Sequence, residues 1–225
     1  GELLPYVGIL IVIALLMLKE PHMSGTILVL AAAAAILFTA GIKLGWFALG
    51  GGLMGVIMAL IVFVGGYNSD RIKTWQNPWW DPGDKGYQIV QSLYAVASGG
   101  LTGLGFGQSR QKYLYLPEEQ NDFIFAILCE ELGFIGAIAL IALFVLFMWR
   151  GFVIAKRAPD TFSSVLVAGL TAKVGIQAML NIAVVTSSIP TTGIALPFFS
   201  YGGTALVMQL AECGIVLNIS RSIGD

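Results

Sequence analysis

The chain has 225 residues, of which 57% are hydrophobic and 11% charged, with a mean hydropathy of +0.84. A soluble domain carries about 25% charged residues, so a soluble globular class is excluded and a polytopic membrane protein is expected. The net charge of −1 and pI near 5.8 leave no basic footprint for nucleic acid.

Seven helical spans follow from the apolar runs, at 3–18, 24–41, 45–66, 87–105, 124–149, 163–187 and 199–219. About 20 helical residues cross ~30 Å of hydrocarbon. Runs this long without strict alternation favour helices over strands. The fold class expected is therefore all-α, a transmembrane helix bundle, with residues 1–225 as a single integral-membrane domain. The opening GELLPYVGIL has no basic n-region, so no cleavable signal peptide is expected. It begins almost inside an apolar run, as a piece of a longer chain would.

Lys and Arg set the expected orientation. The segments 19–23, 67–86, 150–162 and the C-terminus share one side in this reading and hold Lys19, Arg71, Lys73, Lys85, Arg150, Lys156, Arg157 and Arg221. The opposite segments hold Lys43, Arg110 and Lys112. The richer set is placed in the cytoplasm, with the C-terminus. In the loop WQNPWWDPGDKGYQ, Trp75, Trp79 and Trp80 read as an interfacial belt, and Asp81 and Asp84 as a solvated turn.

Next comes SGGLTGLGFGQSRQK, from Ser98 to Lys112. No strand precedes its glycines and no GK[ST] follows, so a nucleotide loop is disfavoured. The glycines are expected to end a helix and bend the backbone. Arg110 and Lys112 then lie beside an acidic segment, LPEEQNDFIFAILCEELG, which holds Glu118, Glu119, Asp122, Glu130 and Glu131. Asp122 reads either as a helix N-cap or as an outward-facing acid. Glu130 and Glu131 lie two turns into the helix, where charge usually faces a cavity or a partner. One is expected to line a polar cavity with Asp122, the other to grip a neighbouring helix.

In the sixth span Lys173, Gln177 and Asn181 share a helix face at four-residue spacing. Glu212, with Gln209 one turn earlier, is the expected partner of Lys173. The stretch IPTTGIALPFFSYGG then breaks the helix, as an outer turn or a cavity lining. Cys129 and Cys213 have no CxxC or Cys/His companions, so neither disulfide nor zinc is expected, and no haem or nucleotide. Two function classes fit these residues: an enzyme using Asp122 on an anionic, lipid-linked substrate, and a transporter with intramembrane charges.

The motifs GLGFGQSRQKYLYLPEEQNDFIFAILCEELGFIG and NIAVVTSSIPTTGIALPFFSYGG strongly resemble the SEDS family (shape, elongation, division and sporulation), in its FtsW/SpoVE branch. The resemblance covers essentially the whole chain, including KEPHMSGTI. It implies ten transmembrane helices with a cytoplasmic C-terminus, of which the spans here would be the last seven. It implies peptidoglycan glycosyltransfer from lipid II into a growing glycan strand, with a class B penicillin-binding protein and other division membrane proteins as partners. The family's essential aspartate falls on Asp122, as general base or as ligand of a divalent ion, Mg or Mn. Glu118 and Glu131 fall on family positions, and Gln108, Ser109, Arg110 and Lys112 are expected to bind substrate. Gln177, Asn181, Pro190, Pro197, Ser200 and Gly202 match as architecture. Lys173 and His22 depart from the family pattern. Alternatives to the enzyme are a lipid II translocator and a non-catalytic division scaffold.

Overall fold

The structure, a computed structural model, describes residues 4–20, 23–52, 69–113 and 116–223. The described residues form helices α1 (Leu4–Lys19), α2 (Met23–Thr39), α3 (Ser69–Gln76), α4 (Tyr87–Ser98), α5 (Ile124–Arg157), α6 (Thr161–Val185) and α7 (Gly203–Arg221), with a 3₁₀ turn at Pro78–Trp80. Residues 44–52 are also helical; the rest of the third predicted span, and His22, lie outside the described residues. The all-α expectation holds: α5, α6 and α7 are each long and apolar enough to cross a membrane, and α1 and α2 are shorter apolar helices.

Helix α6 is the centre of the bundle and packs on α2, α5 and α7. Small residues allow this. A Cβ added at Gly151 of α5 would strike Thr171, and one at Gly175 of α6 would strike Met148. Close backbone approach through small side chains is how helices associate in lipid. Asp160 starts α6 as an N-cap, its carboxylate accepting from Ser163 N at 2.9 Å and Ser163 Oγ at 2.7 Å. The main core cluster, with Phe123, Phe125, Phe144, Val174, Val185 and Leu196, lies under the far end of α6, where the functional loops gather.

The fourth predicted span is corrected. Its helix, α4, has 12 residues, about 18 Å at 1.5 Å per residue, and does not cross. Beyond Ser98 the chain turns back, with positive φ at Gly100, Gly103, Gly105 and Gly107. It docks on α5 where that helix is itself broken, at Gly133 (φ 66°, ψ −166°). The break frees backbone groups that the returning loop takes up. Leu104 N donates to Glu130 O at 2.9 Å and Gly105 N to Glu131 O at 3.0 Å, while Phe134 N and Ile135 N donate to Gly100 O and Leu101 O at 2.9 and 3.1 Å. Irregular backbone at this depth is tolerated only when its polar groups are satisfied within the protein.

The predicted separation of the 67–86 segment from the acidic segment falls with that span. Because α4 does not cross, the described residues between 69 and 123 lie at one end of the bundle. Trp75 Nε1 donates to Ser187 O at 2.9 Å, Arg71 Nη1 to Thr191 O at 3.2 Å and Ser92 Oγ to Val185 O at 2.9 Å, all at the C-terminal end of α6. Trp75 is therefore a tie to α6, while Trp79 and Trp80 stay more than half exposed, at 53% and 58%. Arg71, Lys73 and Lys85 share an end with Arg110 and Lys112, and Lys156, Arg157 and Arg221 occupy the other. Grouped this way, the basic residues no longer orient the bundle.

The predicted Lys173–Glu212 pair is present between α6 and α7. The second carboxylate oxygen of Glu212 is buried without a partner. Lys173→Met is expected to lower the thermal stability of the detergent-solubilised protein, by less than the ~3–5 kcal/mol of a fully buried pair, because the lysine side chain keeps 32% exposure. Adding Glu212→Leu should restore most of the loss. A double variant no more stable than Lys173→Met would show that the unpaired charge is not the cause.

Candidate active site

Asp122 stands just before α5 and is half-buried. It does not cap the helix: Phe123 holds the N-cap position, with no side-chain cap bond. The Asp122 carboxylate opens instead into a cavity of about 350 Å³ lined by Asp70, Arg71, Thr74, Lys85, Gln88, Asp122, Phe123, Thr191 and Gly193. Burial, and then the charge of Glu118, push the Asp122 carboxyl above its ordinary value. Across the cavity, Lys85 Nζ pairs with Asp70 Oδ2 at 2.6 Å. That hydrogen bond and its charge hold Asp70 below the usual carboxylate range. The cavity therefore combines two acids, Asp122 of raised proton affinity and the ion-paired Asp70, with two cations, Arg71 and Lys85. Pockets for small ligands have this size and a few convergent polar groups.

The walls are set by the C-terminal part of the chain. Asn181, 1% exposed on α6, donates to Asp122 O and to Ile194 O, both at 2.7 Å. Ser200 Oγ donates to Asn121 O at 2.6 Å and accepts from Leu196 N at 2.7 Å. Gln177 Nε2 donates to Ala195 O at 2.9 Å, and Phe198 N donates to Gln209 Oε1 at 2.8 Å. The polar face of α6 thus holds the broken stretch after it by the backbone. Pro197 within that stretch is fully buried.

Two groups of predicted site residues are placed elsewhere. Glu130, 1% exposed, accepts from Ser109 Oγ, from Arg110 N at 3.1 Å and from Gln111 N at 3.2 Å. Glu131 accepts from Gly107 N at 2.9 Å, Ser109 N at 3.2 Å and Lys112 Nζ at 2.9 Å. Neither glutamate lines the Asp122 cavity; together they lock the returning glycine loop to the break in α5. Ser109 and Lys112, expected to bind substrate, are committed to that lock. Gln108 and the Arg110 side chain are exposed, outside the cavity lining. Glu118 has positive φ and accepts from Asn121 Nδ2 at 2.5 Å; it touches the site through its charge on Asp122.

Asp70, Arg71, Lys85, Gln88, Thr191 and Gly193 were missed as site residues. The miscounted span had put residues 67–86 on the opposite side of the membrane. A helix-length count over 87–105, stopped at the Gly99-Gly100 pair, would have brought them back.

A divalent ion on Asp122 was expected from resemblance. Among the described residues no three His, Cys, Asp or Glu side chains converge on such an ion. The other carboxylate lining the cavity, Asp70, is already paired with Lys85.

The FtsW/RodA/SpoVE family model, described as "Cell cycle protein", matches residues 1–224. Stage V sporulation protein E of Bacillus subtilis is 47% identical over 220 residues, covering 96% of this chain and 59% of that protein. The probable peptidoglycan glycosyltransferase FtsW of Trichlorobacter lovleyi is 43% identical, covering 98% of this chain and 58% of its own. Among solved structures, one described as "Structural coordination of polymerization and crosslinking by a peptidoglycan synthase complex" superimposes with a TM-score of 0.73 at 28% identity, over 94% of this chain and 59% of that one. The Thermus thermophilus rod shape determining protein RodA gives 0.61 at 26% identity, over 95% and 54%. The chain therefore spans less than two thirds of the length of each of these proteins.

Proposed function

The chain belongs to the FtsW/RodA/SpoVE family, and from that premise we propose that it is the catalytic part of a multi-pass membrane glycosyltransferase that polymerises lipid II into glycan strands. One observation carries the reading: the half-buried Asp122 carboxylate and the cations Arg71 and Lys85 share one cavity at one end of the bundle. Glycosyl transfer from a diphosphate-linked donor needs both. The acceptor sugar hydroxyl attacks the anomeric carbon, a new C–O bond forms, and the bond to the diphosphate breaks with its electron pair. Asp122 takes the hydroxyl proton as general base. A carboxyl of raised proton affinity is better matched to that task near neutral pH. Arg71 and Lys85 balance the charge left on the diphosphate.

This reading takes residues 1–225 as one membrane domain within a longer protein. It places the Asp122 end outside the cytoplasmic membrane, where peptidoglycan is built, and Arg221, at the other end of α7, inside. The new strand would pass to a class B penicillin-binding protein, with division or sporulation membrane proteins assembled around the pair. A second reading, lipid translocation, draws on the broken α5, a feature transporters share.

The test is strand formation from lipid II by the full-length protein in detergent, where there is no bilayer to cross. Glycan strands made there, and lost in Asp122→Asn, support the enzyme. Translocation in vesicles without strand formation would favour the transporter. In the same assay Arg71→Gln is expected to raise the donor KM by about tenfold or more, since a hydrogen bond to a charged group contributes about 1.5–3 kcal/mol. An unchanged KM would remove Arg71 from the diphosphate site.

A further inference from the structure

Three consecutive carbonyls are each held by one donor from the C-terminal part of the chain. Tyr201 N donates to Gln120 O at 2.8 Å, Ser200 Oγ to Asn121 O at 2.6 Å and Asn181 Nδ2 to Asp122 O at 2.7 Å. Among the described residues the Asp122 carboxylate itself has no hydrogen-bond partner, so its aim depends on how its backbone is held. We propose that Asn181 is a positioning residue for Asp122, setting the distance between the carboxylate and the adjoining backbone at Gly193 by bridging the carbonyls of Asp122 and Ile194. The inference rests on the reading of Asp122 as the general base.

The geometry supports a specific task. Both amide hydrogens of Asn181 are used, one on each of two separate chain segments, at 2.7 Å each. A planar amide holds two such acceptors at a fixed separation. Next to Ile194 stands Gly193, so close that an added Cβ would lie 3.3 Å from Asp122 Oδ2. A small change in the bridge therefore changes the space beside the carboxylate. Asn181 also buries its amide oxygen with no partner. Leaving a buried polar atom unpaired costs stability, and a leucine there would avoid it. The carboxamide is worth that cost only through its two donors. Asn181 does not line the cavity, so it acts through Asp122.

The experiment uses the full-length protein with its partner and lipid II, measuring rate against pH for wild type, Asn181→Leu and Gln177→Leu. Gln177 lies one turn away on the same face and holds Ala195 O, not Asp122. Asn181→Leu is expected to lower kcat by about 10–100-fold, since a misplacement near 1 Å can cost about 100-fold, with donor KM changed less than about twofold. Released from its half-buried place, Asp122 hydrates and the acid limb of kcat moves to lower pH. The charges facing it (Glu118 on its own loop, and Asp70, Arg71 and Lys85 across the cavity) are unchanged in the variant. Gln177→Leu should leave that limb in place. A wild-type kcat in Asn181→Leu, or a loss with the limb unmoved as in Gln177→Leu, overturns the proposal. Should Asn181→Leu fail to fold, Ser200→Ala removes the neighbouring clamp point and must move the limb in the same direction. Asp122→Asn separates the two readings: if it keeps full activity, the general-base assignment fails; if it is inactive while Asn181→Leu is normal, only the positioning role fails.

Discussion

Asp122→Asn should reduce glycan polymerisation by about 10²–10⁴-fold, the usual worth of a positioned general base, while the protein folds and binds its partner normally. Asparagine keeps the size of the side chain and removes its basicity. The contacts that hold this residue run through its carbonyl, which accepts from Asn181, and survive the change. Stability should not fall. Burial raises the Asp122 carboxyl above the ordinary 3.8, so the folded state binds this proton more tightly than the unfolded state. The linkage sign follows: stability declines as pH rises from the unfolded value through the raised folded value, and is flat above it. At neutral pH the ionised aspartate is thus a stability cost that asparagine lacks. The expected variant is inactive and at least as heat-stable as wild type, measured by strand formation and by thermal unfolding in detergent. A variant that polymerises normally would make Asp122 a wall residue. Glu118→Gln provides a second check. With that charge gone, the Asp122 carboxyl should fall toward its ordinary value, and the acid limb of activity should move to lower pH.

How far the site was legible depended on whether its contacts are local in sequence. Asp122 was legible because it is the last of three acids before a long apolar run, where the family resemblance places an essential aspartate. The Lys173–Glu212 pair was legible because an intramembrane charge needs an opposite, and few were on offer. The sharing of work among the other acids was not. By their depth one of Glu130 and Glu131 reads as a cavity group and the other as a grip on a neighbouring helix, yet most of their partners are backbone N–H groups of 107–111, and backbone donors leave no mark in side-chain identity. Arg71 and Lys85 were lost through one topological error. The run 87–105 is apolar enough to suggest a crossing, and only its glycines distinguish a helix that turns back from one that passes through. Depth, too, was misjudged: α5 is broken at Gly133, so both glutamates belong to the short segment outside the break and not to the main membrane span.

That break leads to the second large effect, at the junction of two glycines. Gly133→Ala is expected to destabilise the protein more than any substitution on the outer face of the bundle. Its φ of 66° with ψ of −166° lies in a region open essentially to glycine alone, and holding another residue there costs about 1–3 kcal/mol. Space adds to this: a Cβ at Gly133 would stand 2.6 Å from the carbonyl of Leu101, and one at Gly103 would be 2.7 Å from Gly133 N. Both obstacles are backbone, which cannot rotate aside. The substitution must therefore part the loop from α5 and open the four backbone hydrogen bonds between them. Glu130 and Glu131 would then lose the N–H groups they neutralise, which makes the damage cooperative. Gly103→Ala should behave alike, from the other side of the same contact. Gly83→Ala, where a Cβ meets nothing within 4 Å, should be close to neutral. Thermal unfolding of the four proteins in one detergent reads the difference. If Gly133→Ala and Gly103→Ala unfold with Gly83→Ala, the loop is not docked through its backbone and the excursion from 99 to 113 is free of α5. If they unfold early and also lose polymerisation, the lock formed by Glu130 and Glu131 supports the segment on which Asp122 is carried.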